Sequence, residues 1–148
     1  MSLSSGIGVL MKHKGPETWT LPPSASVYDA IVLMAEKGVG ALPVVEQGTL
    51  VGMLSERDYA RKVILLGRSS KDTAVAEIMS SPVLTVTAAH TVADCMHIVT
   101  ENRIRHLPVM DGERLAGIVS IGDLVNWVIS DQQETIRHLE AYISGISA

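Results

Sequence analysis

The residues best suited to chemistry in this chain stand in two copies of one pattern, Gly-x-x-Ser-x-x-Asp: Gly52, Ser55 and Asp58, then Gly117, Ser120 and Asp123. In each copy an apolar run ends at the serine, so the pattern marks a strand running into a helix. A serine at that point satisfies a backbone N–H of the first helical turn, and the helix start carries partial positive charge that attracts an anion. The aspartate three residues on offers two acceptor oxygens. Glycine in the strand leaves room for another backbone or a flat ring to approach. The same spacing also describes a capping box that serves only the helix, so the pattern alone leaves capping and ligand binding both open. Ser26-x-x-Asp29 and Thr91-x-x-Asp94 read as caps and nothing more.

The two copies lie 65 residues apart, and that offset holds beyond them. Val27 falls on Val92, Asp29 on Asp94, Glu36 on Glu101, Leu42-Pro43-Val44 on Leu107-Pro108-Val109 and Leu50 on Leu115, without a gap. One supersecondary block has been used twice. In the first block Trp19 to Leu21 reads as a short strand stopped by Pro22-Pro23. A helix capped by Ser26 follows, with Val27, Ala30, Ile31 and Met34 on one face and Gly38 as its left-handed end. Ala41 to Val45 and Leu50 to Leu54 form strand–turn–strand around Glu46 to Thr49, and Ser55 caps a second helix through about Leu66. The second block repeats the order, with strands at Val83–Val86, His106–Met110 and Leu115–Val119, a helix at Val92–Glu101 and another from Ser120. Short apolar helices precede both blocks, at Ile7–Met11 and Val75–Met79. The expected bounds are 7–68 and 75–130 for the repeats, with a helical tail at 131–148 whose Ile136, Leu139 and Ile143 share one face.

At 148 residues and 47% hydrophobic content the chain can bury a sizeable core. A net charge of −4 with 19% charged residues argues against nucleic acid as a partner. Cys95 is the only cysteine, which excludes an internal disulfide and reads as core filler in a reducing compartment. No apolar run approaches the roughly 20 residues of a membrane span, so a cytoplasmic protein is expected. Residues 1–6 are small and polar enough to read as a disordered end.

The β-α-β-β-α duplication, the paired Leu-Pro-Val strands and the paired Gly-x-x-Ser-x-x-Asp junctions resemble the CBS domain, two of which form a Bateman module. The resemblance covers about Ile7 to Ser130. It implies an α/β (α+β) fold of pseudo-symmetric tandem repeats, pockets between the repeats for adenosine-containing ligands, a regulatory role and, in many members, a homodimer. On that resemblance Ser55, Asp58, Ser120 and Asp123 would hold a ribose, the carboxylates suiting its paired 2′- and 3′-hydroxyls. Arg57, Arg105, His106 and Lys12 would face phosphate, and Thr20, Ala41, Met53, Thr85 and Ile118 would line the pocket wall.

The two sites are not expected to be equivalent. Arg105-His106 precedes the second Leu-Pro-Val strand where the first has Gly40-Ala41, and Arg57 stands where the second has Gly122. Arginine beside a helix start suits a bidentate phosphate contact, while a solvated pair with Glu56 or Asp58 is the other reading of Arg57. Lys12, His13 and Lys14 read either as a phosphate cover or as a solvated basic stretch. His97 falls off the apolar helix face and is expected at the surface.

No Walker-type loop, His-Glu-x-x-His, Cys-x-x-Cys or Gly-x-Ser-x-Gly occurs, and the histidines are scattered. The expectation is therefore a non-catalytic module that senses an adenine nucleotide (AMP, ADP, ATP or NAD) without a metal and passes an energy-sensing signal to an unknown regulated protein. The alternative is a constitutive dimerisation scaffold with vestigial pockets. Phosphate-facing arginines disfavour S-adenosylmethionine, whose sulfonium is positive.

Overall fold

The computed structural model describes residues 2–143; Met1 and 144–148, the end of the expected tail, lie outside the described residues. Those residues build α1 (Ile7–Lys14), α2 (Val27–Lys37), β1 (Ala41–Glu46), β2 (Thr49–Ser55), α3 (Glu56–Tyr59), α4 (Val75–Ile78), β3 (Val86–Thr87), α5 (Val92–Asn102), β4 (His106–Asp111), β5 (Arg114–Ser120) and α6 (Ile121–Ile143). Together they make a mixed α/β fold.

Local signals account for most of these elements. Ser26, Ser55, Thr91 and Ser120 each accept the amide of the aspartate three residues on, at 3.0–3.1 Å. Gly38 ends α2 in the left-handed region with φ 66°. Its counterpart at the end of α5 is Arg103, held at φ 53° without glycine's freedom. β1 and β2 pair antiparallel from Ala41↔Ser55 to Glu46↔Thr49, turning through Gln47 and Gly48, both at positive φ. α3 continues as one π-helical turn, Ala60–Ile64, rather than as a plain helix to Leu66.

Two expected strands are much shorter. Of Trp19 to Leu21 only Leu21 bridges, giving its amide to Pro43 and accepting from Val45. Pro22 has no N–H to extend that ladder. Around Val83–Val86 only Val86–Thr87 pairs, beside β4 in a sheet ordered β3-β4-β5.

The chain forms two compact units. Among the described residues, one contains residues 2–16, 86–109 and 117–143; the other contains Glu17–Thr85 and Met110–Ala116. The helices ahead of the repeats are thus exchanged. α1 precedes the first repeat, yet Ile7 and Leu10 are buried in the second repeat's core with Val92, Cys95, Leu107 and Leu124. α4 precedes the second repeat, yet Val75 and Ile78 are buried in the first repeat's core with Val27, Leu42 and Leu54. The segment ahead of α1 is not a loose end. Ser5 and Leu3 accept the amides of Val92 and Ala93, and Ser2 accepts the Trp127 indole N–H at 2.9 Å. α6 runs on without a break past residue 130. Burial pushes the Cys95 thiol up to about 11, as suits a core filler.

Candidate functional site

Each strand-to-helix junction is built the same way by the backbone. At the first, Ser55 Oγ accepts from the Asp58 amide at 3.1 Å while Asp58 Oδ2 accepts from the Ser55 amide at 3.0 Å. At the second, the reciprocal Ser120 and Asp123 bonds measure 3.1 and 2.8 Å. The next amide in each helix is also taken: Glu56 donates to the Gly40 carbonyl and Ile121 to the Arg105 carbonyl. At each junction the cap amide and the first and third helical amides are therefore satisfied within the protein, because the chain two residues before each Leu-Pro-Val strand lies against the helix start. Both carboxylates serve the caps.

The junctions differ in what neutralises the acid. Asp58 Oδ1 lies 3.3 Å from Lys62 Nζ and 3.4 Å from Ser80 Oγ, and Lys62 Nζ also donates to the Ile78 carbonyl. Met53 pairs by backbone with Ser80 at 2.8 and 3.0 Å and is buried. Gly52 is closely overlain: a β-carbon there would stand 2.5 Å from the Met79 sulfur and 3.1 Å from the Ser80 carbonyl oxygen, so the Met79 side chain would have to move. Another backbone does approach at Gly52, as the sequence suggests, and it is the protein's own.

At the second junction Lys14 Nζ bridges Asp123 Oδ2 at 2.7 Å and the Ile118 carbonyl at 2.6 Å. Partial burial works against the Asp123 charge, but the Lys14 ammonium and the Ser120 groups outweigh it and hold the carboxyl below its ordinary value. Asp123 is thus an ionised acceptor. His106 is half-buried at the start of β4. Burial holds its ring below the ordinary imidazole value, Lys14 and Arg105 add to the effect, and Asp123 pulls the other way. His106 thus stands within electrostatic reach of Lys14, Asp123 and its chain neighbour Arg105, while the cation paired with Asp123 is Lys14. An ionised carboxylate can accept from hydroxyl groups, and the lysine ammonium beside it can meet an anion.

Residues 11–64 and 75–130 each match the family model of the CBS domain. The chain belongs to the CBS domain family. It is 43% identical over 151 residues to CBSX3, a mitochondrial CBS domain-containing protein of Arabidopsis thaliana, covering 96% of this chain and 73% of that protein. A solved CBS-domain protein from Burkholderia ambifaria superposes with a TM-score of 0.83 at 49% identity, over 86% of this chain and 96% of that one. The structure of CBSX2 in complex with AMP matches with a TM-score of 0.72 at 28% identity, over 86% and 98% of the two chains.

The remaining candidates of the two CBS repeats disperse. Arg57 is exposed on the first turn of α3, and Lys12 is exposed on α1, where Lys14 is the residue that reaches a junction. Ala41 is buried at the start of β1 opposite Ser55; Ile118 is half-buried, and Thr20 and Thr85 are exposed outside the strands. His97 is exposed, as its helical position predicts. Lys62 and Ser80 were not among the sequence candidates. Lys62 carries a signal in retrospect, an acid–base pair at i, i+4; Ser80 carries none. Among the described residues no group of three or more His, Cys, Asp or Glu could hold a metal, and no helix is long and apolar enough to cross a membrane.

Proposed function

We propose that this CBS pair is a non-catalytic regulatory module that binds an adenosine-containing nucleotide of the AMP, ADP, ATP or NAD class and passes the change to a separate protein. The observation that carries this reading is the second junction, where ionised Asp123 is paired with Lys14, His106 is within electrostatic reach of both, and the Arg105 carbonyl meets the helix start. A vicinal diol needs acceptors and a phosphate needs cations, and both are present there. Nothing in the group requires proton transfer for that role, since charge-assisted hydrogen bonds of about 1.5–3 kcal/mol each suffice for recognition. Similarity to CBSX2, solved with AMP, supports the adenosine half of the ligand. Ligand binding at Ser120 and Asp123 would bias the start of α6, and α6 carries a stripe of exposed apolar residues, Ile129, Ile136, Leu139 and Ile143. That stripe suits pairing with a second copy and gives the signal a route out of the chain. The relative CBSX3 is described as mitochondrial; a cytoplasmic and a mitochondrial setting both supply adenine nucleotides.

The test is thermal unfolding of the protein against AMP, ADP, ATP, NAD, NADH and S-adenosylmethionine. A ligand at 100 times its Kd stabilises the fold by about 2.7 kcal/mol. A shift with a phosphate-bearing nucleotide supports the sensor. No shift with any of them, in a protein that sediments as a dimer, favours the scaffold reading that the α6 stripe also fits.

A further inference from the structure

We propose that the exposed stripe of α6 is the seam of a parallel, in-register, two-stranded coiled coil between two copies of this chain, with Gln132 fixing its register. The inference gives the outgoing surface of the functional reading above its partner and its geometry, and it does not depend on which ligand binds.

Two faces of α6 are apolar. Leu124 and Trp127 are buried and seat the helix in the second repeat's core, whereas Val125, Ile129, Ile136, Leu139 and Ile143 are exposed. Written as heptads, Ile129, Ile136 and Ile143 fall at a, and Val125, Gln132 and Leu139 at d. A strict seven-residue repeat is the period of a left-handed coiled coil. The helix runs on from residue 130, where the second matched repeat ends, to Ile143, and residues 135–140 are exposed on every side. Most helical stability in proteins comes from packing an apolar face. Among the described residues, none covers this one.

The composition of the seam says what does. Isoleucine at a with leucine at d favours two strands over three or four, and a parallel two-fold pair presents the same face on both copies and closes as a dimer. Gln132 decides the direction. In a parallel pair in register the two Gln132 amides meet across the seam, and each can donate to and accept from the other. In an antiparallel pair a positions pack against d, so Gln132 would meet an isoleucine and its amide would leave water without a partner. A parallel pair slipped by one heptad suffers the same loss. The flanking positions raise no obstacle: Asn126, Gln133 and Glu140 at e face Val128 and Thr135 at g, with no like charges opposed, and Asp131, Glu134, Arg137 and His138 fall outside the seam.

The first repeat has no equivalent. Counted by the 65-residue offset, Gln132 falls on Gly67, which takes φ 66° beyond a helical stretch that stops at Ile64. Pairing through this seam thus belongs to the second repeat alone.

The experiment is sedimentation equilibrium of the full chain, with thermal unfolding as a control on the fold. The wild type is expected to be a dimer. Ile136→Asp puts two unpaired carboxylates in the seam and should weaken that dimer about 100-fold or more; Leu139→Asp replaces it if it does not fold. Gln132→Leu should associate more tightly and give species larger than a dimer, since the polar position that restricts the assembly is gone. Ile136→Cys tests direction, because Cys95 is buried and the new thiols face each other only in a parallel pair in register; oxidised glutathione should join them as a disulfide. A monomeric wild type, a hexamer or other larger assembly, or a dimer untouched by Ile136→Asp overturns the seam. A dimer that Ile136→Cys does not cross-link overturns the parallel register, and a Gln132→Leu dimer of unchanged size and strength overturns the role of Gln132. The seam lies outside both junctions, so each of these failures leaves the nucleotide reading to its own thermal-shift test.

Discussion

Position 62 in the first repeat is lysine and its counterpart, 127, is tryptophan; position 79 is methionine and its counterpart, 14, is lysine. Each junction aspartate therefore meets one lysine, but from opposite directions. Asp58 takes its cation from its own helical stretch, with Lys62 anchored on the Ile78 carbonyl. Asp123 cannot, because Trp127 is buried in the core with its ring against His13, and the cation arrives from the end of α1 instead. A duplicated local sequence reproduces the cap faithfully. It does not reproduce the charge around the cap, which depends on whichever segments pack against it.

The comparison can be broken most forcefully at the exchanged helices. Ile7→Ala should destabilise by about 2–5 kcal/mol, as for a buried large-to-small change, and hydrogen exchange should show the loss in β4 and β5 of the second repeat. Loss confined to β1 and β2 would mean that α1 packs with the repeat it precedes. Gly52→Val forces a branched side chain against Met79 and the Ser80 carbonyl and should cost about 1–3 kcal/mol, measured by urea unfolding. A neutral result would show that the crossing segment yields freely.

The aspartates sharpen the comparison. Asparagine keeps an acceptor for the cap but removes the charge, so Asp123→Asn should weaken AMP about 10- to 100-fold in calorimetry, while Asp58→Asn should change it less than about threefold. Equal losses would make the junctions equivalent. Ser55→Ala and Ser120→Ala should each cost about 0.5–2 kcal/mol of thermal stability, and similar values at the two sites would confirm that the caps are alike where the charges are not.

The smallest effect is one of pH. His106 is held neutral by burial, with Lys14 and Arg105 reinforcing and Asp123 opposing. Its folded value lies below its unfolded one, so the unfolded chain binds the extra proton as pH falls, and stability that is full above about pH 6.5 declines below it. His106→Gln should flatten that slope. Asp123, depressed by Lys14 after its burial is overcome, contributes stability above the ordinary carboxylate range that is lost as pH falls through its folded value. That loss comes at lower pH and persists in His106→Gln.

Much of the fold is legible in sequence because it is local. Caps at Ser26, Ser55, Thr91 and Ser120 need only a serine or threonine and an aspartate three residues on, and the β1–β2 turn needs only Gln47-Gly48. Trp19 to Leu21 and Val83 to Val86 mislead because apolar residues beside proline resemble strands, while a ladder requires a partner that the local sequence does not encode. Residues 2–6 mislead in the other direction. They look loose by composition, yet their backbone bonds to Val92 and Ala93 are tertiary.

By itself the sequence determined the repeat, its helix–strand–strand–helix order, the reciprocal serine–aspartate caps and the family, since each is a matter of period or of contacts within a few residues. Tertiary structure alone decided that α1 and α4 serve the opposite repeats, that Lys14 rather than Lys12 reaches Asp123, and that the helix-start donors are already bonded to Gly40 and Arg105. Period and capping act within a few residues, whereas the burial of Ile7 and Leu10 with Leu107, and of Val75 and Ile78 with Leu42, joins segments far apart in the chain.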